Sequence, residues 1–145
     1  MAGTLHFYGL GLLNLAKGNI DLDTDTFKIL LTTSTYTPVQ DTHEFRSDVT
    51  NEVANGNGYT TGGNTLAGVS VTYDTGTNQV RVSWTDPTWP ASTITARTAV
   101  IYKSRGGAAT ADELLAYVTN DADVSSTNGT FTVDLPVPAL YITAS

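Results

Sequence analysis

Residues 69–85 read VSVTYDTGTNQVRVSWT, and this stretch decides the fold class. Apolar side chains occupy every second position on either side of a short connecting segment: Val69, Val71, Tyr73, Val80, Val82 and Trp84. The connecting segment, residues 75–78, contains the Gly and Asn that tight turns favour. The stretch therefore predicts an antiparallel β-hairpin whose alternate residues form one face of a buried core.

Further apolar or alternating runs extend this pattern along the chain, at residues 27–32, 93–103, 114–118, 131–135 and 140–143. The sequence AVIY within the second run is apolar at consecutive positions, which predicts a central strand covered on both faces. About seven or eight short strands in one chain predict an all-β protein, either an antiparallel two-sheet sandwich or a barrel-like domain.

Two segments are expected to lie outside the sheets. Residues 86–90 read DPTWP and should interrupt a strand, because proline cannot donate to a backbone ladder. Residues 120–129 are polar and contain Asn and Gly, so we expect a loop there.

The first 18 residues differ from the strand-rich remainder. Apolar residues recur here at spacings of three and four: Leu5, Tyr8, Leu12 and Leu15. This spacing predicts a short helix that ends near residues 17–18, so we divide the chain into an N-terminal helix or arm, 1–18, and a single β-sandwich domain, 19–145. The segment either packs on the chain's own sheet or serves as an assembly arm. In the second case a homo-oligomer is expected, with a trimer as the favoured state, and the interface residues are Leu5, Phe7, Tyr8 and Leu12.

The composition narrows the possible functions. Thr accounts for 26 of the 145 residues, and this β-branched polar residue suits the wetted face of a sheet. The net charge is −7 and the seven basic residues are scattered, so we expect no binding to nucleic acid. The absence of Cys excludes disulfides and cysteine zinc sites. No apolar run approaches the roughly 20 residues of a membrane helix, so we expect neither a membrane span nor a secretory signal.

Few residues suggest chemistry. Asp21, Asp23 and Asp25 alternate like the first ligands of a calcium loop, but such a loop needs Gly at its sixth position and Glu at its twelfth, where this chain has Thr. The His43–Glu44 pair lacks any spacing motif that would complete a zinc site. No nucleophile elbow or phosphate loop occurs. We therefore predict no catalytic residue, no metal site and no cofactor, in a protein that is not an enzyme.

The two tryptophans suggest one alternative function. Trp84 lies on the apolar face of the hairpin and is expected in the core. Trp89 lies between Pro87 and Pro90, and an exposed position would make it a stacking platform for a sugar ring. A carbohydrate- or receptor-binding β module is therefore an open interpretation.

Five segments occur in an order that resembles a family of small structural proteins of tailed-bacteriophage virions. They are FKILLTTSTYTP (27–38), TNEVANGNGYTTGGNTL (50–66), DPTWPASTITARTAVIYK (86–103), ELLAYVT (113–119) and STNGTFTVDLP (126–136). The similarity runs from Asn19 almost to the end of the chain, and residues 51–63 and 95–97 are its most specific parts. The chain departs from the family after ELLAYVT, where a Phe-Gly pair is expected and residues 120–123 read NDAD.

The resemblance implies a building block of a virus particle. The leading expectation is a capsid decoration, or cement, protein that is made in the host cytoplasm and lies on the virion surface, where it stabilises the head by bridging capsid subunits. Its partners would be the major capsid protein or other virion proteins, with no nucleic acid and no membrane. A position in the tail or at the head–tail junction is the alternative within the same particle.

Overall fold

The computed structural model describes residues 1–144 and confirms the predicted all-β class. Every strand pairing in it is antiparallel. The strands are β1 (Thr4–Phe7), β2 (Phe27–Thr32), β3 (Asn64–Thr65), β4 (Ser70–Asp74), β5 (Gln79–Ser83), β6 (Thr88–Ser92), β7 (Thr95–Lys103), β8 (Leu114–Ser125), β9 (Gly129–Thr132) and β10 (Leu140–Thr143). The helical elements of these residues are α1 (Gly9–Ala16) and the 3₁₀ turns Arg46–Asp48 and Ala109–Ala111.

The strands form one large sheet and two small ones. The main sheet has the order β1–β8–β7–β2–β3, and the small sheets have the orders β10–β5–β4 and β6–β9. The AVIY run lies in β7 at the centre of the main sheet, and all four of its side chains are buried, as predicted. One face of the main sheet packs against both small sheets, which is a sandwich arrangement.

Both faces of the main sheet are covered. The larger core joins residues such as Ile29 and Ile101 of the main sheet to Val82 and Phe131 of the small sheets. The second core covers the opposite face and consists of Tyr8, Leu30, Tyr36, Val100, Tyr102, Leu114 and Tyr117. Burial on both sides explains why β2 and β7 are apolar runs in the sequence rather than strict alternations.

The predicted hairpin is present as β4 and β5, joined by residues 75–78. Val71 pairs with Val82 and Tyr73 pairs with Val80, which is the register that the alternation predicts. Burial differs within this face, because Val82 is buried whereas Val71, Tyr73 and Val80 are 36%, 53% and 37% exposed. The prediction that the whole apolar face belongs to the core is therefore wrong: the sheet extends beyond the part of the core that covers Val82.

The N-terminal segment is integrated into the main sheet. The prediction of a helix that includes Leu5 is wrong, because residues 4–7 form the edge strand β1 and the helix begins only at Gly9. Pairing with β8 satisfies the backbone of β1 and leaves Leu5 half-buried against the larger core. The predicted helix end is correct, since Lys17 is the C-terminal cap and Gly18 follows with a φ of 79°.

Two segments expected to be irregular are strands. The pairing of β6 with β9 shifts between Trp89 and Ser92, which leaves Pro90 in a bulge where its missing N–H removes no ladder bond. The polar start of the predicted loop belongs to β8, which continues to Ser125 because Thr95 of β7 supplies a pairing partner there. In both segments, pairing with a neighbouring strand outweighs the local composition and produces a strand.

Candidate assembly surfaces

The four residues predicted as an assembly interface lie in different environments. Leu5 and Phe7 are half-buried in β1 at the margin of the larger core. Tyr8 is fully buried in the second core, where its hydroxyl lies 2.9 Å from that of Tyr36. The prediction that Tyr8 contacts a neighbouring subunit is therefore wrong, because its side chain fills the core of its own chain. Leu12 is exposed on α1, and its contact with a neighbour stays a prediction.

A chain of hydrogen bonds continues from Tyr8 into the loop after β2. The Tyr36 hydroxyl lies 3.0 Å from Nδ1 of His43, and the Val39 N–H donates to the same nitrogen at 3.3 Å. Because a backbone N–H can only donate, Nδ1 is an acceptor and the ring proton lies on Nε2. Burial raises the pKa of both Tyr8 and Tyr36. His43 therefore holds this loop over the second core.

The three alternating aspartates form a hydrogen-bonded turn. Bonds from the Thr24 hydroxyl and from the backbone N–H groups of Asp23 and Thr24 lower the pKa of Asp21. Asp25 Oδ2 accepts from the Asp21 N–H at 2.7 Å and pairs with Lys103 Nζ at 2.8 Å. Among residues 1–144, no group of three or more His, Asp or Glu side chains is arranged to hold a metal ion.

A carboxylate that the sequence analysis missed organises the glycine-rich loop, residues 55–63. Glu52 Oε1 accepts hydrogen bonds from the Tyr59 hydroxyl at 2.7 Å and from the Gly62 N–H at 2.6 Å. Gly63 has a φ of 73° and approaches β2 so closely that a Cβ there would overlap the strand's backbone. The loop is therefore fixed against the main sheet. A single Glu before a turn is too common a pattern to predict this contact.

Both tryptophans are buried. Trp84 packs edge-on against Phe27 with ring centroids 5.6 Å apart, in the expected core position. Trp89 is only 2% exposed and lies between Tyr59 and Phe131, with centroid distances of 6.2 and 6.1 Å. The interpretation of Trp89 as an exposed sugar-stacking platform is therefore wrong, because the pairing of β6 with β9 directs it into the core.

A polar cleft of about 390 Å³ opens near β3 and β6. It is lined by Asn64, Thr65, Ala67, Thr85, Asp86, Pro87 and Thr88. Two of its polar groups are engaged within the fold: Asn64 Nδ2 donates to the Thr88 carbonyl, and Asp86 Oδ1 accepts from the Leu135 N–H, both at 2.8 Å. No aromatic ring is among these lining residues, so the cleft lacks the stacking surface on which sugars commonly bind.

An exposed apolar surface lies on the small sheet β10–β5–β4. We call it the apolar sheet face, and its members are Val69, Val71, Tyr73, Val80 and Ile142. These side chains are between 36% and 57% exposed, although their alternation is that of a core face. Val80 pairs with both Tyr73 and Ile142, so these three form one row across the sheet. Sequence alternation identifies such a face but does not show whether another layer covers it.

Comparison of the chain with protein-family models, with curated proteins and with solved structures finds no match. Within residues 1–144, no helix is both long and apolar enough to span a membrane.

Proposed function

We propose that this chain is a structural protein of a tailed-bacteriophage virion that decorates the capsid and stabilises the head by bridging capsid subunits. The observation that carries the proposal is the presence of two exposed apolar surfaces on one β frame. One is the apolar sheet face, and the other is the outer side of α1, where Leu12 and Leu13 are 40% and 45% exposed. Apolar patches of this kind mark interaction sites, and a bridging protein needs at least two of them.

The main sheet and the loop held to it, which lie between these two surfaces, suit a mechanical role. The central strand β7 is buried on both faces, and the glycine-rich loop is held to the main sheet through Glu52. A frame that is already ordered loses little conformational entropy when it binds, so more of the contact energy stabilises the assembly. Each copy needs to add only a few kcal/mol, because many copies act on the same shell.

The charge of the chain suits the outer surface of a capsid. The net charge is −7, and several of its cations are already paired with carboxylates: Arg46–Asp112, Arg97–Asp123 and Lys103–Asp25. An acidic protein is repelled by the phosphates of packaged DNA. We therefore place the protein outside the shell, in contact with the major capsid protein and not with nucleic acid.

The alternative position within a virion is the tail or the head–tail junction, which the same two surfaces would also serve. The test is to add the purified, labelled protein to particles that lack it, from a phage whose genome encodes this chain. Cryo-electron microscopy should then show many copies on the head, and the heads should release their DNA at a higher temperature. A few copies at the tail would support the alternative position, and no bound copies would contradict a virion role.

A pair of variants tests the contact through α1. Leu12→Glu places a charge on the exposed side of α1 and should weaken capsid binding at least tenfold without changing the melting temperature. Thr127→Glu introduces the same charge in the exposed loop between β8 and β9 and should bind like the parent. Equal binding by the two variants would exclude α1 as the capsid contact.

A further inference from the structure

The apolar sheet face lies in the part of the chain that carries no net charge. Residues 66–85 and 136–144 contain one acid, Asp74, and one base, Arg81, so the whole charge of −7 comes from the other residues. Asp74 and Arg81 pair at 3.1 Å, and by strand alternation they lie on the opposite side of this sheet. Two copies of the chain therefore meet less like-charge repulsion through this face than through a surface of average charge.

The arrangement of the face suits a second copy. Val80 lies on the central strand β5, with Tyr73 on one side and Ile142 on the other. A twofold axis parallel to β5 would place Val80 against Val80 of the second copy, and Tyr73 against Ile142 of the second copy. The ring of Tyr73 thus meets the smaller side chain of Ile142 on both sides of the axis. A twofold interface requires this self-complementarity.

The exposed area is large enough for a dimer. From the exposed fractions of its five side chains, the face leaves roughly 400 Å² of apolar surface in water, within the range of patches that are often functional. Two such faces would bury roughly 800 Å² of apolar area. Because apolar atoms form about 60% of a typical interface, the total interface area, polar atoms included, would be roughly 1,300 Å². This total lies at the low end of stable protein interfaces, about 1,200–2,000 Å².

We infer that the apolar sheet face is the interface of a homodimer. The two β10–β5–β4 sheets pack face to face about 10 Å apart, as sheets do in a sandwich, and each copy supplies the layer that the other lacks. The dimer covers the apolar sheet face, so the two contacts of a bridging protein would then be its two copies of the α1 surface in place of the two surfaces of a single copy. The inference does not depend on the virion role and has a separate test.

The first measurement is the mass of the protein in solution over a range of concentrations. We expect a reversible dimer that strengthens with added salt, because the contact is apolar and salt screens the repulsion between acidic copies. Tyr73→Glu should shift the dissociation constant at least a hundredfold towards monomer. Thr72→Glu adds the same charge on the opposite side of the same strand and should dimerise like the parent.

A cross-link tests the axis directly, because the chain has no cysteine of its own. Facing strands about 10 Å apart are too distant for a disulfide, so the probe is a bismaleimide of about that length. It should link Val80→Cys into a dimer and leave Thr72→Cys monomeric. Because Tyr73 and Val80 are exposed in a single chain, these variants should melt like the parent at concentrations low enough for the parent to be monomeric, since dimerisation itself raises the melting temperature. Ile142→Glu provides a second disrupting variant.

A parent protein that remains monomeric at high concentration would overturn the inference. A dimer that Tyr73→Glu and Ile142→Glu leave intact would also overturn it. A trimer that neither substitution dissociates would overturn it as well. A monomeric protein that still binds particles would leave the proposed virion function standing, so the two failures are distinguishable.

Discussion

At the residue scale, single polar side chains hold the loops onto the sheets. Asp112 is almost completely buried, and it accepts hydrogen bonds from Arg46 Nε and from the Arg105 N–H, each at 2.8 Å. Glu113 beside it pairs with the Arg105 guanidinium. A buried acceptor that loses its donor costs about 1–3 kcal/mol, so these contacts contribute more to loop position than exposed ion pairs do.

Tyr59 provides a test of this effect. Its hydroxyl donates to Glu52 and accepts from the buried Leu31 N–H at 3.1 Å. Tyr59→Phe leaves both groups without this partner and should lower the free energy of unfolding by about 1–3 kcal/mol in urea denaturation. Tyr141→Phe changes a side chain that is 57% exposed and should stay within about 0.5 kcal/mol of the parent. Equal stability of the two variants would contradict the structural role of the Tyr59 hydroxyl.

The buried phenols also predict a loss of stability at high pH. Burial raises the pKa of Tyr102 to about 12 and raises the pKa of Tyr8 and Tyr59 as well. Below the unfolded-state pKa of about 10, both states are protonated and the contribution of these phenols is fully present. As the pH rises from about 10 towards 12, the unfolded state ionises first, and the free energy of unfolding must fall.

Urea denaturation at increasing pH measures this decline. Tyr102→Phe removes one of the phenols, so its free energy of unfolding should fall less steeply above about pH 10 than that of the parent. Tyrosinate absorbance of the parent should rise together with the loss of structure. Ionisation of the phenols of Tyr8, Tyr59 and Tyr102 in the folded protein just above pH 10 would contradict their burial.

At the scale of elements, α1 packs so closely on β8 that its two glycines are not equivalent. A Cβ on Gly11 would lie 2.5 Å from the Leu114 carbonyl oxygen, whereas a Cβ on Gly9 would make an ordinary contact, 3.5 Å from the Gln40 carbonyl oxygen. Gly11→Ala should therefore destabilise the protein by about 1–3 kcal/mol despite the higher helix propensity of Ala.

Gly9→Ala is the matched variant on the same helix. It should be neutral or stabilise by up to about 1 kcal/mol, because Ala restricts the unfolded chain and meets no overlap. Thermal melting compares the two substitutions. Similar melting temperatures for both variants would mean that Gly11 lies farther from the Leu114 carbonyl oxygen than the 2.5 Å Cβ distance indicates.

Elements whose signal is local could be predicted, and those that depend on distant partners could not. The hairpin register follows from alternation around a turn, and the central position of β7 follows from its AVIY run. In contrast, β1 needs β8 as a partner more than a hundred residues away, and its leucine spacing also fits a helix. The same limit applies to the candidate sites: alternation indicated the apolar face of the hairpin, but not that Val82 and Trp84 would be covered while Tyr73 and Val80 stay exposed.

At the scale of the whole molecule, the N-terminal segment is part of the fold and also carries one of the two exposed apolar surfaces. Tyr8 fills the second core, and Asn14 of α1 is buried and donates to Glu44 at 3.2 Å in the loop after β2. The outer side of the same helix carries the exposed Leu12. The segment therefore supports the fold with one side and is free to bind with the other, so deletion alone cannot separate the two roles.

A truncation that begins at Gly18, compared with Leu12→Glu, separates them. The truncation removes the strand that pairs with β8 and leaves a cavity at Tyr8, and loss of one large buried side chain alone costs about 3–5 kcal/mol. Because domains are stable by only about 5–15 kcal/mol, the truncated chain should unfold at a much lower temperature or fail to fold. Leu12→Glu should melt like the parent and lose only its binding to a neighbour. A truncated chain that melts like the parent would show that residues 1–17 act as a dispensable arm, and that the second core is complete without Tyr8.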